Sequence, residues 1–239
     1  MTNSVYSTLS RQSGLLNRFD AIANNIANIS TPGFRREDVG FSEYVEKLGG
    51  NEPSLSVASA DVRVIDSRQG ALTRTGGTYD MAIDGPGYFL VATPQGDRLT
   101  RSGSFTADAN GQLVDAAGNA LRDSSGSPIL VPPQVRTVTL APDGSLSADG
   151  TPVAQVGIFQ PNTPQDLTYE AGTLFSAAGG VSPLPDGSTI RQGYLEDSNV
   201  NPVQEIARMV DVQRAYELGQ TFLDNEDQRV RSLIQTLSR

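Results

Sequence analysis

The chain has 239 residues and a net charge of −9, with no Cys, no His, no Trp and a single lysine, Lys47. These absences remove thiol nucleophiles, disulfides, histidine general bases and the usual zinc ligand sets, and the acidity opposes non-specific binding to nucleic acid. Lys47 lies in no glycine-rich phosphate motif, so enzyme chemistry would have to rest on carboxylates, hydroxyls or arginines.

Hydrophobic residues make up 37% of the chain beside 24 Gly and 14 Pro, a composition for a turn-rich globular middle rather than a disordered polymer. No apolar run reaches the roughly 18 residues of a membrane-spanning helix. Met1 to Gly14 lacks a basic segment followed by an apolar one, so no cleavable secretory signal is expected. Residues 1–31 sum to +1 and residues 199–239 to −1. The acidity therefore lies in the middle, and the two ends are nearly neutral and free to pack.

The first element is a helix. Leu15, Phe19, Ile22, Ile26 and Ile29 recur at spacings of four, three, four and three, the period of a helix burying one stripe. Asn24, Asn25 and Asn28 sit among them, although Asn is a mediocre helix former. Ser30, Thr31, Pro32 and Gly33 end the helix, because proline cannot continue the hydrogen-bond ladder and glycine favours a left-handed exit. A connector over 32–78 follows. In it Tyr44, Val45 and Leu48 suit a short helical turn closed by Gly49-Gly50.

From Leu55 the period changes to two. Val57, Val62 and Val64 read as strand, Asp66 to Gly70 as a turn and Ala71 to Thr75 as a further strand. Met81 and Ile83 lead into Gly85-Pro86-Gly87, which breaks the ladder before a buried strand over Tyr88 to Val91. Asn110-Gly111 and Gly118-Asn119 punctuate the short apolar segments Leu113-Val114 and Ala120-Leu121, as expected for two-residue hairpin turns. Asp108, Asn110 and Gly111 open like a calcium loop, but the position of its bidentate Glu is Asn119, and no metal site is expected. Ile129 to Val131, Val138 to Leu140, Leu146 and Val153 to Phe159 add strands to a central all-β domain over 79–183. Gln160 to Gly187 is poor in large apolar residues and reads as loop-rich and exposed. Thr189 to Leu195 offers one last strand within a return connector over 184–198.

The chain closes on a second helix, with Asn201 suited to cap it and Pro202 to its first position. Met209, Val212, Tyr216, Gly219, Leu223, Glu226, Val230, Leu233 and Leu237 alternate at three and four, a heptad seam with defects at Gly219 and Glu226. At about 1.5 Å per residue the two helices measure roughly 40 and 53 Å, too long to lie along a β unit of this size. Their natural partners are each other and neighbouring subunits.

The run Ala23-Asn24-Asn25-Ile26-Ala27-Asn28, followed by Ser30-Thr31-Pro32-Gly33-Phe34, resembles the N-terminal signature of the bacterial flagellar rod and hook proteins. Asp84-Gly85-Pro86-Gly87-Tyr88-Phe89 and the string TRSGSF from Thr100 to Phe105 are similar to stretches of the same family. Leu195 to Asn201, with Ser198, Asn199 and Val200, and the run Gln213-Arg214-Ala215-Tyr216-Glu217 resemble its C-terminal signature. The opening, Val5-Tyr6 then Leu9-Ser10-Arg11-Gln12, looks most like the proximal-rod branch. The matches cover most of the chain in the expected order and thin out over 35–56 and 124–187.

The resemblance implies an α+β fold: long N- and C-terminal helices, over 1–31 and 199–239, pack as a coiled-coil-like bundle with a central all-β domain inserted between them. It implies a structural subunit of the proximal rod and not an enzyme, assembling helically through its terminal helices into part of a hollow drive shaft. Its partners would be other rod and hook-family subunits and the flagellar type III export apparatus, which would deliver it unprocessed to the rod in the periplasmic space. No cofactor, nucleic acid or small-molecule substrate is implied. The expected subunit interface takes Leu15, Phe19, Ile22, Ile26 and Ile29 with Met209, Val212, Tyr216, Leu223, Val230, Leu233 and Leu237. Asn24, Asn25 and Asn28 would satisfy polar groups between helices and fix register, as buried Asn can in coiled coils. A distal-rod or hook part is the alternative. A secreted carboxylate-dependent hydrolase using Asp80 and Asp84 is a remote one.

Overall fold

The computed structural model describes residues 2–46, 55–184 and 187–237. They divide into two compact units. One is helical, built from helix α1 (Thr2–Ala27), an antiparallel hairpin of β1 (Glu37–Glu46) and β2 (Leu55–Ile65), and helix α2 (Pro202–Leu237). The other, from residues 28–36 and 67–199, is built of short strands joined by turns and loops, with one 3-10 turn at Pro164–Asp166.

In the helical unit α1 uses two faces. Leu15 and Ile22 bury against Val212 of α2, with Phe19, Ile26, Met209, Ala215 and Tyr216 packed around them. Ala21 lies against Val39 of β1, because its small side chain lets a strand approach. The α2 N-terminus is capped by Asn201, whose Oδ1 accepts from the backbone nitrogens of Val203 at 3.1 Å and Gln204 at 3.2 Å.

Two expectations are corrected here. The helices do not form a coiled-coil-like bundle: α1 packs against α2 and a β-hairpin together, and the seam positions Val230 and Leu233 stay exposed. The periodicity read on α1 followed its large apolar stripe and passed over the small-residue face beside it, where Ala21 meets Val39. Tyr44 and Val45 sit in strand β1, opposite Val57 and Ser56 of β2, and not in a helical turn. Tyr and Val favour strands, and β2 supplies the ladder that local spacing cannot show. Leu48 and Gly49-Gly50 lie outside the described residues.

In the β unit, β3 (Leu72–Arg74) is followed by β4 (Met81–Asp84), β5 (Phe89–Thr93), β6 (Gly96–Thr100), β7 (Thr106–Ala107), β8 (Leu113–Val114) and β9 (Ala120–Leu121). A separate antiparallel sheet joins β10 (Val138–Leu140), β11 (Ser145–Ala148) and β12 (Thr151–Gln155). Then come β13 (Phe159–Pro161), β14 (Leu167–Ala171), β15 (Leu174–Ala177), β16 (Val181–Pro183), β17 (Thr189–Gln192) and β18 (Tyr194–Glu196). The largest sheet has the order β14-β15-β6-β5-β9-β8-β7. The core of the unit includes Ile83, Phe89, Val91, Phe105, Leu113, Leu121 and Ile129.

One turn is used three times running. Asp108 Oδ1 accepts from the backbone nitrogens of Asn110 and Gln112, both at 2.8 Å. Asp115 repeats this with Ala117 and Asn119, and Asp123 with Ser125 and Ser127. Each turn is followed by a fully buried aliphatic, Leu113, Leu121 or Ile129. The Asp108 carboxylate that opens the calcium-like string is therefore engaged by its own backbone.

The stretch read as loop-rich, Gln160 to Gly187, is about half strand among its described residues. β14 and β15 pair, β15 extends the large sheet from β6, and Phe175 is fully buried. A few apolar residues suffice because β15 joins a sheet whose core already exists. The last expected strand divides at Gly193: β17 pairs with β4 and β18 with β3.

Candidate functional site

Within the helical unit the polar residues of the first helix have particular uses. Asn25 is fully buried, and its carboxamide meets Glu37 as a second backbone would. Asn25 Nδ2 donates to the Glu37 carbonyl at 2.8 Å, and the Glu37 nitrogen donates to Asn25 Oδ1 at 2.9 Å. Asn25 Nδ2 also reaches Glu205 Oε2 of α2 at 3.3 Å, and Arg208 donates to the other oxygen at 3.0 Å. One side chain thus ties α1 to β1 and α2 together. Burial pushes the Glu37 carboxyl above its ordinary 4.5, against the lowering effects of Arg63 and of a hydrogen bond from Asn24. Asn28 Oδ1 accepts from the Thr31 hydroxyl at 3.1 Å in the turn that ends the helix.

Gly219, a defect in the heptad count, is where the buried Gln12 crosses α2. Gln12 Nε2 donates to the Tyr216 carbonyl at 3.0 Å, and a Cβ on Gly219 would stand 2.1 Å from that nitrogen. The helices leave two apolar grooves, one of about 290 Å³ at this crossing, lined by Gln12 and Gly219 with Arg11, Leu15, Leu218 and Phe222 among others. The second, of about 180 Å³, lies along Leu16, Phe19, Gln213 and Tyr216. Much of α2 remains uncovered: Val203, Ile206, Val210, Leu218, Phe222, Val230, Leu233 and Ile234 are all exposed.

In the β unit the family-like strings around Gly33, Gly85, Arg101 and Glu196 converge on one carboxylate. Glu196 is buried, and two buried arginines hold it: Arg35 Nη2 stands 2.9 Å from Oε1 and Arg101 Nη2 2.6 Å from Oε2. Arg101 Nη1 donates onward to the carbonyls of Gly85 at 3.0 Å and Gly87 at 2.6 Å, and Nη2 to that of Ile83. The Gly70 nitrogen donates to Glu196 Oε1 at 2.9 Å. Gly33, at φ +75°, donates to the Glu196 carbonyl at 2.7 Å, so close to Arg101 and Ser102 that a Cβ would stand 2.2 Å from the Ser102 nitrogen. Phe34 stacks edge-on with Tyr169, Tyr88 with Phe175, and Phe89 with Phe105. Asn199 Oδ1 accepts from the Arg36 nitrogen at 2.7 Å.

The comparisons with known proteins read the same segments. Residues 6–35 match the family described as Flagella basal body rod protein, residues 82–148 the Flagellar hook protein FlgE/F/G D1 domain, and residues 191–236 the Flagellar basal body rod FlgEFG protein C-terminal. The chain is 36% identical to the flagellar basal-body rod protein FlgF of Caulobacter vibrioides, covering 100% of this chain and 99% of that relative. The chain belongs to the flagellar basal-body rod protein family.

It is 32% identical to FlgF of Rhizobium meliloti, over 99% of this chain and 98% of the relative. It is 29% identical to FlgG of Bacillus subtilis, over 98% of each. The rod protein is accordingly a structural subunit of the flagellar basal body, of a family not known as enzymes, and is associated with other rod and hook subunits.

The expected interface residues separate into two sets in the rod protein. Leu15, Ile22, Asn25 and Val212 are buried within the chain, and Phe19, Asn24, Ile26, Asn28, Ile29, Met209, Tyr216 and Leu223 are half-buried. Val230 and Leu233 are exposed, and the side chain of Leu237 lies outside the described residues. Among the motif residues, Ala23, Thr31 and Ser198 are half-buried, Ala27 is exposed and Val200 is buried. Gln213 bonds Glu217 at 3.1 Å, while Arg214 faces solvent. Asp84 pairs with Arg191 at 2.6 Å, and Asp80 accepts from Thr75, so the two acids have separate partners. Arg35, Arg101 and Glu196 were missed, although Arg101 and Glu196 stand inside quoted strings where a charge has no surface role to play. Val203, Ile206, Val210 and Leu218 were missed because the heptad count followed a different stripe of the same helix.

Proposed function

We propose that the chain is a proximal-rod subunit that assembles head-to-tail, through the uncovered faces of its terminal helices, into a helical stack forming part of the hollow rod. The observation that carries this reading is the apolar exposure of α2, where Val203 is 76% and Leu218 71% accessible on a helix of 36 residues. A helix this long and this apolar on its outside needs neighbours to cover it. The higher identity to relatives named FlgF than to the FlgG of Bacillus subtilis favours the proximal position. Export proceeds unprocessed through the flagellar type III route into the periplasmic space. The terminal helices order fully on assembly, when intermolecular burial offsets their conformational entropy.

The test is to tag the chain in its own cells and isolate basal bodies. Recovery of the tag with the rod, and loss of motility on deletion of the gene, is the expected result. A chain that stays soluble while rods assemble normally without it contradicts the proposal.

A further inference from the structure

The helical unit carries two surfaces of complementary chemistry, an aliphatic ridge with a carboxylate and an apolar groove with a guanidinium, on opposite flanks of the α1–α2 contact. The first is a ridge. Val203, Ile206, Val210, Gln213 and Glu217 follow at spacings of three and four along α2, which sets them on one face. At 3.6 residues per turn that face lies about a third of a turn from Glu205, Val212 and Tyr216, which face into the chain. The three aliphatics are exposed, and among the described residues the Glu217 carboxylate accepts from the neutral Gln213 amide at 3.1 Å and from no cation.

The second surface is the groove of about 290 Å³ on the other flank, between Arg11 and Leu15 of α1 and Ala215, Leu218 and Phe222 of α2. Its floor is apolar and its rim carries Arg11, an exposed cation with no ion-pair partner among the described residues. An aliphatic ridge ending in a carboxylate thus exists on the same chain as an apolar groove rimmed by a guanidinium, neither of them in an ion pair among the described residues.

We propose that the Val203–Ile206–Val210 ridge of one copy of this chain seats in the Arg11–Leu15–Leu218–Phe222 groove of the next copy, with Glu217 paired to Arg11. The inference rests on the rod-assembly reading above and names the surfaces it uses. Because ridge and groove are different patches, the contact is heterologous and leaves a free ridge and a free groove after each addition. Such a contact propagates into a ring or helical wall instead of stopping at a dimer. The apolar seat supplies most of the affinity, while the rim pair sets register.

The chain has no native cysteine, so introduced thiols report without background. Two differently tagged full-length copies, one with Val210→Cys and one with Leu218→Cys, are co-expressed in the native cell and treated with a bifunctional maleimide. A mixed dimer carrying both tags is expected, absent when either variant is expressed alone with wild type. Arg11→Glu on the groove copy lowers that dimer by roughly fivefold, and Glu217→Arg on the ridge copy restores it. Both charges are on the surface, so neither change threatens folding. Basal bodies that contain both tagged variants but yield no mixed dimer overturn the pairing and leave the rod reading intact. A cross-link to a different protein overturns the choice of a second copy as occupant. Absence of the tagged wild-type chain from basal bodies overturns the rod reading, and the pairing with it.

Discussion

Glu196 shows how a single carboxylate organises the β unit. Taking a carboxylate out of water costs several kcal/mol, and two guanidiniums with a backbone nitrogen return that cost here. Removing the carboxylate leaves Arg35 and Arg101 charged and buried without it. Glu196→Ala should therefore lower unfolding stability by about 3 to 5 kcal/mol, read from the denaturant midpoint of the purified chain. Glu37 gives the opposite kind of signature. Its folded pKa is raised above the unfolded value of 4.5, so the native state holds the proton more tightly. Its ionised form is the costly one: stability falls as pH rises from 4.5 through the raised value and recovers as pH falls. Glu37→Gln should flatten this fall in a series of unfolding curves across that range, and an unchanged slope would show that Glu37 does not cause it. At this scale the sequence shows which residues are unusual but not what they touch. Asn25 stands out as a poor helix former, yet its partner Glu205 is 180 residues away. Gly33 announces a turn, but the approach of Ser102 that forbids a side chain there is a matter of tertiary packing.

At the scale of elements, α1 and α2 were legible because 3.6-residue periodicity, a proline stop and an Asn–Pro start are local signals. Their packing was not. The heptad template treats Gly219 as a gap, whereas the structure uses it to pass Gln12 across to the Tyr216 carbonyl. This difference is measurable. Gly219→Ala alone gains about 1 kcal/mol of helix propensity but displaces the Gln12 amide from its acceptor. In a Gln12→Ala background only the gain remains. A double-mutant cycle should therefore give a coupling of about 0.5 to 1.5 kcal/mol between these positions, and additive effects would contradict the crossing. β14 and β15 were illegible for a related reason. Their few apolar residues look insufficient for strands until β6 offers a prepared edge and Phe175 inserts into an existing core. Two of the Asp turns were legible as turns from Asn110-Gly111 and Gly118-Asn119, but not their length: each is a five-residue loop, 108–112 and 115–119, closed by its own Asp.

For the whole molecule, the family resemblance was readable from strings at both ends and in the middle, and comparison with relatives across the full length establishes it. The strings in the β unit are explained by one buried charge cluster and by aromatic packing. Those of the helical unit are explained by the Asn25 tie and by the contact of the helices. What remains uncovered on α2 is then surplus to the fold of the single chain, and in the reading proposed above that surplus is the surface for assembly. Asp in place of an exposed Val or Leu far along α2 changes nothing that the monomer uses, so its unfolding stability should move by no more than about 0.5 kcal/mol. In a packed wall the same change buries an unpaired charge. The most direct measurement is the amount of a tagged Val230→Asp, Leu233→Asp chain recovered in isolated basal bodies, beside its circular dichroism and denaturation midpoint in solution. Recovery at least tenfold below wild type, with an unchanged monomer, is the predicted result. Recovery equal to wild type would contradict assembly through the exposed face of α2.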